Sequence, residues 1–267
     1  MSSTNGGENA ALLRSGRVIF AMVNAALAVE TLVMVHDHSH SLGPQYDVLP
    51  VLPWLPAIPW LAYLFGAVWI LCSAGLLLEG TRRASSWVLG ALLFVCTLVL
   101  EVPKNAANIG DISLRTLVFE PLSMACLAFL LPGRDKIPAF LDRASRYLLA
   151  ISMIIFGVDH FLALGFIANL LPGWIPWHVF WVAFFGVGFI AAGISIALDV
   201  LLRWGAGSLG LMFGIWVLTL HLPRVLGLYG IPGAPHNPNE YSSLFIAAAL
   251  WGGLWALAGY QRSPARN

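Results

Sequence analysis

Eight apolar stretches, over residues 17–36, 57–79, 86–103, 116–132, 146–166, 177–200, 205–222 and 242–260, divide this chain between short polar turns. A helix needs about 20 mostly apolar residues to cross the hydrocarbon core of a bilayer. Because hydrocarbon leaves no backbone group a solvent partner, such stretches cross it as helices. The pattern predicts an all-α, polytopic membrane protein with eight transmembrane helices, its first partner being the lipid bilayer. Composition agrees, since 59% of the 267 residues are hydrophobic and 10% charged, against about 25% charged in soluble domains. A net charge of +1 without charge runs gives no field for nucleic acid, which is excluded as a partner.

Arg14 and Arg17 before the first stretch, with Ala26-Leu27-Ala28 inside it, imitate a signal peptide. No soluble domain follows and the stretch recurs later, so it reads as a retained first helix. Cys72, Cys96 and Cys126 lie singly in apolar stretches. Without short spacings they indicate neither disulfides nor a thiolate metal site, and they read as small buried apolar residues.

The chain repeats itself. "LEVPKNAANIG" at 100–110 returns as "LHLPRVLGLYG" at 220–230. At this offset of 120, Trp54-Leu55-Pro56 faces Trp174-Ile175-Pro176, Glu101 faces His221, Lys104 faces Arg224 and Glu120 faces Glu240. Upstream the offset becomes 129, where "RVIFAMVNAALAVETL" faces "RYLLAISMIIFGVDHF" and sets Glu30 against Asp159 and Thr31 against His160. The expected organisation is a tail at 1–16, a four-helix repeat at 17–132, a linker at 133–145, a second repeat at 146–260 and a tail at 261–267. Four spans per copy make the repeats parallel, with a pseudo-axis along the membrane normal.

Arg14, Arg17, Arg82, Arg83, Arg134, Lys136, Arg143, Arg146, Arg203, Arg262 and Arg266 fall on the side of the N-terminus, and only Lys104, Arg115 and Arg224 on the other. By the positive-inside rule both termini are expected in the cytoplasm. All seven histidines and most acidic residues then lie toward the outer face.

Ionisable groups inside a bilayer are costly, so Glu30, Glu101, Glu120, Asp159, His160, His221 and Glu240 are expected to face the bundle interior. Glu101 with Lys104, and His221 with Arg224, are three apart on one helix face. Pro103 and Pro223 remove a backbone donor, so each helix ends or bends there. The cations either take part in a site or snorkel to the headgroups as anchors. Asp159-His160 is the strongest site candidate, able to tune proton transfer or ligation; the same pair could instead fix helix packing. Asp159, His160, His221 and Glu101 are the candidate catalytic residues. Arg224, Lys104, Glu120, Glu240, Glu30, Trp174 and Trp54 are the candidate ligand-binding residues.

His36, His38 and His40 alternate in "HDHSH" and could chelate Cu or Zn from a loop, or simply form a solvated loop. The Trp- and Pro-rich loops around Trp54 and Trp174 fit an aromatic belt or a re-entrant lid. "SAG" at 73–75 and "GVGFIAAG" at 186–193 suit close helix packing.

"IIFGVDHFLAL" followed by "LLPGWIPWHVFWVAFFGVGFIAAGISIAL" resembles the DoxX-like family of four-helix bacterial membrane proteins, here in tandem. The match is best over residues 146–200. The first copy departs from it, reading Glu30-Thr31 where the second has Asp159-His160. The resemblance implies a bacterial inner-membrane protein and a link to quinone-coupled oxidation, as an oxidoreductase or a subunit of one, with a membrane or periplasmic redox partner. The expected function is binding of a quinone-like apolar ligand in an outward-facing polar pocket. Alternatives are a small-solute transporter or channel, a membrane-embedded acid–base enzyme acting on a lipidic substrate, and an assembly partner docking through the outer loops.

Overall fold

The computed structural model describes residues 3–38, 59–133, 136–228 and 238–260. Among them all regular structure is helical. Helix α1 is Ser3–His38, α2 Pro59–Gly75, α3 Arg82–Cys96, α4 Val102–Asn105, α5 Ile112–Leu130 and α6 Ala139–Leu162. Then follow α7 Leu164–Leu170, α8 His178–Leu198, α9 Leu202–Trp216, α10 Leu222–Val225 and α11 Pro238–Ala258. Seven segments are long and apolar enough to cross a membrane: Ala10–Val33, Arg82–Val99, Ile112–Leu130, Ala139–Leu162, His178–Leu198, Leu202–Val225 and Glu240–Ala258.

The expected eighth span, at 57–79, is the 17-residue helix α2. At 1.5 Å per residue it is about 26 Å long, slightly short of a core about 30 Å thick. Its apolar part, Tyr63–Gly75, ends where Gly75 and the turn to α3 stop it. The short α7, beyond the end of α6, was not expected from the apolar pattern.

Each long helix packs on the one before it and the one after it, and α11 closes back onto α1. Helices α5 and α11 also touch across the ring. Small residues make the tightest crossings. A Cβ on Gly16 of α1 would lie 2.3 Å from the Ala256 nitrogen and 2.5 Å from the Gly252 oxygen of α11. A Cβ on Gly157 of α6 would lie 2.7 Å from the Gly186 oxygen of α8. Helices meet backbone to backbone at these points, as small residues permit in membranes. The close-packing role expected for 186–193 holds at Gly186 and Gly193.

The two proline motifs do not end their helices. Thr97–Glu101 and Val217–His221 are single π-helical turns between α3 and α4 and between α9 and α10. Val102 N–H donates to Thr97 O, and Leu222 N–H to Val217 O, one residue further back than in an α-helix. Pro103 and Pro223 have no N–H to continue the α-pattern, and the wider turn absorbs the missing bond. Such bulges often mark functional positions, and Glu101 and His221 close them.

Candidate functional site

Helices α1, α3, α6 and α9 finish, and α5, α8 and α11 begin, at one end of the ring. There the costly polar side chains meet. Arg115, near the start of α5, holds Asp159, near the end of α6, in a two-pronged ion pair: its terminal nitrogen meets Oδ1 and its Nε donates to Oδ2 at 3.3 Å. Arg224 grips Glu240 similarly, with Nε to Oε2 at 2.9 Å and the terminal nitrogen to Oε1 at 2.5 Å. Ser242 of α11 donates to Glu30 Oε1 of α1 at 2.9 Å. Glu101 is buried and accepts at Oε2 from Asn105 Nδ2 at 3.1 Å.

These pairings differ from those suggested by sequence spacing. Arg224 bonds Glu240 on another helix rather than joining His221 on its own. Asp159 is taken by Arg115 rather than by its neighbour His160, because consecutive residues on a helix point about 100° apart. In the sequence Arg115 stands out only through the charge asymmetry. Its signal was there, as one of three cations at an end that carries eight acidic side chains. A cation among so many carboxylates has to pair with one of them.

His160 is buried, and its Nδ1 lies 2.7 Å from the Phe156 carbonyl one turn back. A carbonyl only accepts, so Nδ1 carries the proton. The imidazole stacks on Trp216 at 5.2 Å and 29° and leans on Phe189 at 5.0 Å. Its Nε2 is buried with no partner among the described residues, as is Nδ1 of His221.

Both histidines line a cavity of about 1170 Å³ between α5, α6, α7, α8, α9 and α11. Glu120, Asp159 and Trp174 line it too. The remaining wall is mostly apolar, and Phe156, Phe166, Trp181, Phe184, Phe185, Phe189, Phe213 and Trp216 contribute its aromatic part. Glu120 has no hydrogen bond or ion pair to another described residue; the following Pro121 also deprives Leu117 O, on the same wall, of its helical donor. Phe166, Trp174, Phe184 and Val187 are exposed on the flank of the ring as well as lining the cavity. The cavity is therefore partly open, and the residues at its opening are apolar. The loop at its mouth enters α8 through Trp177, whose φ of 58° lies in the left-handed region; this costs a bulky residue about 1–3 kcal/mol and fixes the loop's course.

Of the sequence-predicted residues, Glu120, Asp159, His160, His221 and Trp174 thus converge on one cavity. Glu30, Glu101, Arg224 and Glu240 lie at the same end of the ring but outside its walls. Lys104 is on α4, with its side chain outside the described residues, and Trp54 lies outside them altogether. His36 is exposed near the end of α1, its Nδ1 3.4 Å from the Tyr63 hydroxyl. The His38 side chain and His40 lie outside the described residues, among which no group of three or more potential ligands could hold a metal ion. No protein-family model, curated protein or solved structure matches this chain.

Proposed function

We propose that this multi-pass membrane protein binds a quinone-like ligand, an apolar molecule with a small polar head, in the cavity between α5 and α11. The supporting observation is the chemistry of the walls. Aromatic and aliphatic side chains make up most of the lining, and the few polar groups include histidine nitrogens without a partner among the described residues, together with the Glu120 carboxyl group. Ligand sites combine an apolar body with a few convergent polar groups in this way. A cavity of about 1170 Å³ accommodates a substituted ring with the first units of a tail. The apolar residues at its opening suit entry of a lipid-soluble ligand.

The likeness to DoxX-like proteins gives this binding its context, quinone-coupled oxidation with a membrane or periplasmic redox partner. The tandem organisation belongs to the same proposal. In its support, α3 and α9, the two π turns, and α4 and α10 start and end 120 residues apart. Thr31 Oγ1 bonds Leu27 O one turn back as His160 bonds Phe156 O, at the offset of 129. In the first bundle Trp69, bonded to Asn24 at 3.1 Å, is buried where Phe189 lines the cavity of the second. Both termini face the cytoplasm of a bacterial cell, and the cavity sits toward the outside.

The test is purification in mild detergent, followed by extraction and mass spectrometry of retained lipids. A quinone present near one per protein chain, or saturable binding of an added short-chain quinone, is expected. Absence of both refutes the proposal. A second reading, an acid–base enzyme acting on a lipidic substrate, draws on Glu120 sharing this cavity with His160 and His221. Isomerised or cyclised product from lipid extracts incubated with the protein, lost in Glu120→Gln, would favour it.

A further inference from the structure

The hydrogen-bonding polarity of the cavity specifies more than its size does. His160 spends its Nδ1 proton on the Phe156 carbonyl at 2.7 Å. Charging the ring would place a cation among Trp216 and Phe189, while the adjacent carboxylate is committed to Arg115; an unpaired buried charge is costly. In the neutral ring Nε2 is left as a lone-pair acceptor. That atom is buried without a partner among the described residues, in a residue 5% exposed. The ring is pinned on two sides, so it cannot easily turn Nε2 elsewhere. On the donor side, Trp181 Nε1 is also buried, unpartnered and part of a residue on the cavity wall. The hydroxyls of Thr116, Ser208 and Thr219 on the same wall are spent on carbonyls of their own helices at 2.7–2.8 Å, which leaves Ser113, Glu120, His221 and Ser243 as its other polar residues.

A ligand oxygen can accept from Trp181 whether it is a carbonyl or a hydroxyl. A ligand hydroxyl, unlike a carbonyl, can donate to His160 Nε2. Resting on the ligand reading above, we propose that the cavity takes a lipophilic hydroxyl donor, a hydroquinone or related phenolic head, in preference to the oxidised carbonyl form. His160 Nε2 accepts its hydroxyl proton in a hydrogen bond. The oxidised form retains the aromatic contacts and the Trp181 bond but leaves His160 unmet.

Three probes of one shape test this in calorimetric titrations of the full chain in micelles: a short-chain alkyl benzoquinone, its hydroquinone kept reduced, and the hydroquinone dimethyl ether. The hydroquinone is expected to bind about tenfold tighter than either of the others, equivalent to about 1.4 kcal/mol. In His160→Phe, which keeps an aromatic ring but no acceptor, the preference falls below about twofold. Equal affinity of the three probes for the unsubstituted protein overturns this inference while leaving the ligand reading intact. Tighter binding of the quinone overturns it too, by making His160 a donor. Failure of all three to bind overturns both readings. The comparison on the unsubstituted chain decides the matter even if the variant does not fold.

Discussion

Breaking the Arg115–Asp159 pair tests whether the polar end of the ring is assembled as described. The two side chains are 17% and 6% exposed, so water screens them little. At an effective dielectric of about 20, unit charges at the 3.3 Å Nε–Oδ2 separation attract by about 5 kcal/mol. Most of that offsets their desolvation, so the net worth of the pair is small. Removing one member leaves the other as an unpaired charge in the bundle, at about 3–5 kcal/mol. The lower figure suits this pair, because Arg115 is the more exposed partner. Arg115→Met and Asp159→Leu should each cost about 3 kcal/mol, a fall of about 6–12 °C at about 2–4 °C per kcal/mol. The double replacement leaves no orphan charge and should unfold within about 1 kcal/mol of the original protein. Thermal unfolding in one detergent, followed by tryptophan fluorescence, measures all four proteins. If the losses simply add, the two side chains do not meet and the arrangement of α5 against α6 is wrong.

Three further outcomes follow from other contacts. Gly252→Leu forces a side chain into the Gly16 crossing, where even a Cβ would lie 2.6 Å from the Phe20 nitrogen; a loss of at least about 1–3 kcal/mol is expected, whereas Gly80→Ala, with nothing within 4 Å, should change melting by less than about 0.5 kcal/mol. Ser242→Ala removes the donor to Glu30 Oε1, whose other oxygen has no partner among the described residues, and should cost about 1–3 kcal/mol; unchanged melting would place Glu30 elsewhere. Cys72, Cys96 and Cys126 are free and buried, so a water-soluble maleimide should label none in the folded protein and all three after denaturation.

The apolar runs and the small residues were readable along the chain because their consequences are local. Transfer energy sums over consecutive residues, so 82–99 or 178–198 declares itself a membrane-crossing helix wherever it packs. The crowding of acids and histidines at one end followed from alternating crossings, and Glu120, Asp159, His160 and His221 do meet there. Which cation holds which acid was not readable: Arg115 with Asp159 and Arg224 with Glu240 join helix ends brought together by the ring, which spacing along one helix does not reveal. The π turns depend on how a carbonyl is satisfied after a proline removes its donor, for which the sequence supplies the cause but not the remedy. The cavity belongs wholly to tertiary structure, because an unfilled volume is the difference between the side chains around it and the space their helices enclose. Sequence by itself determined what enters the membrane and which end is polar; only the packing of the ring decided where that polarity is neutralised and where His160 Nε2 is buried with no partner among the described residues.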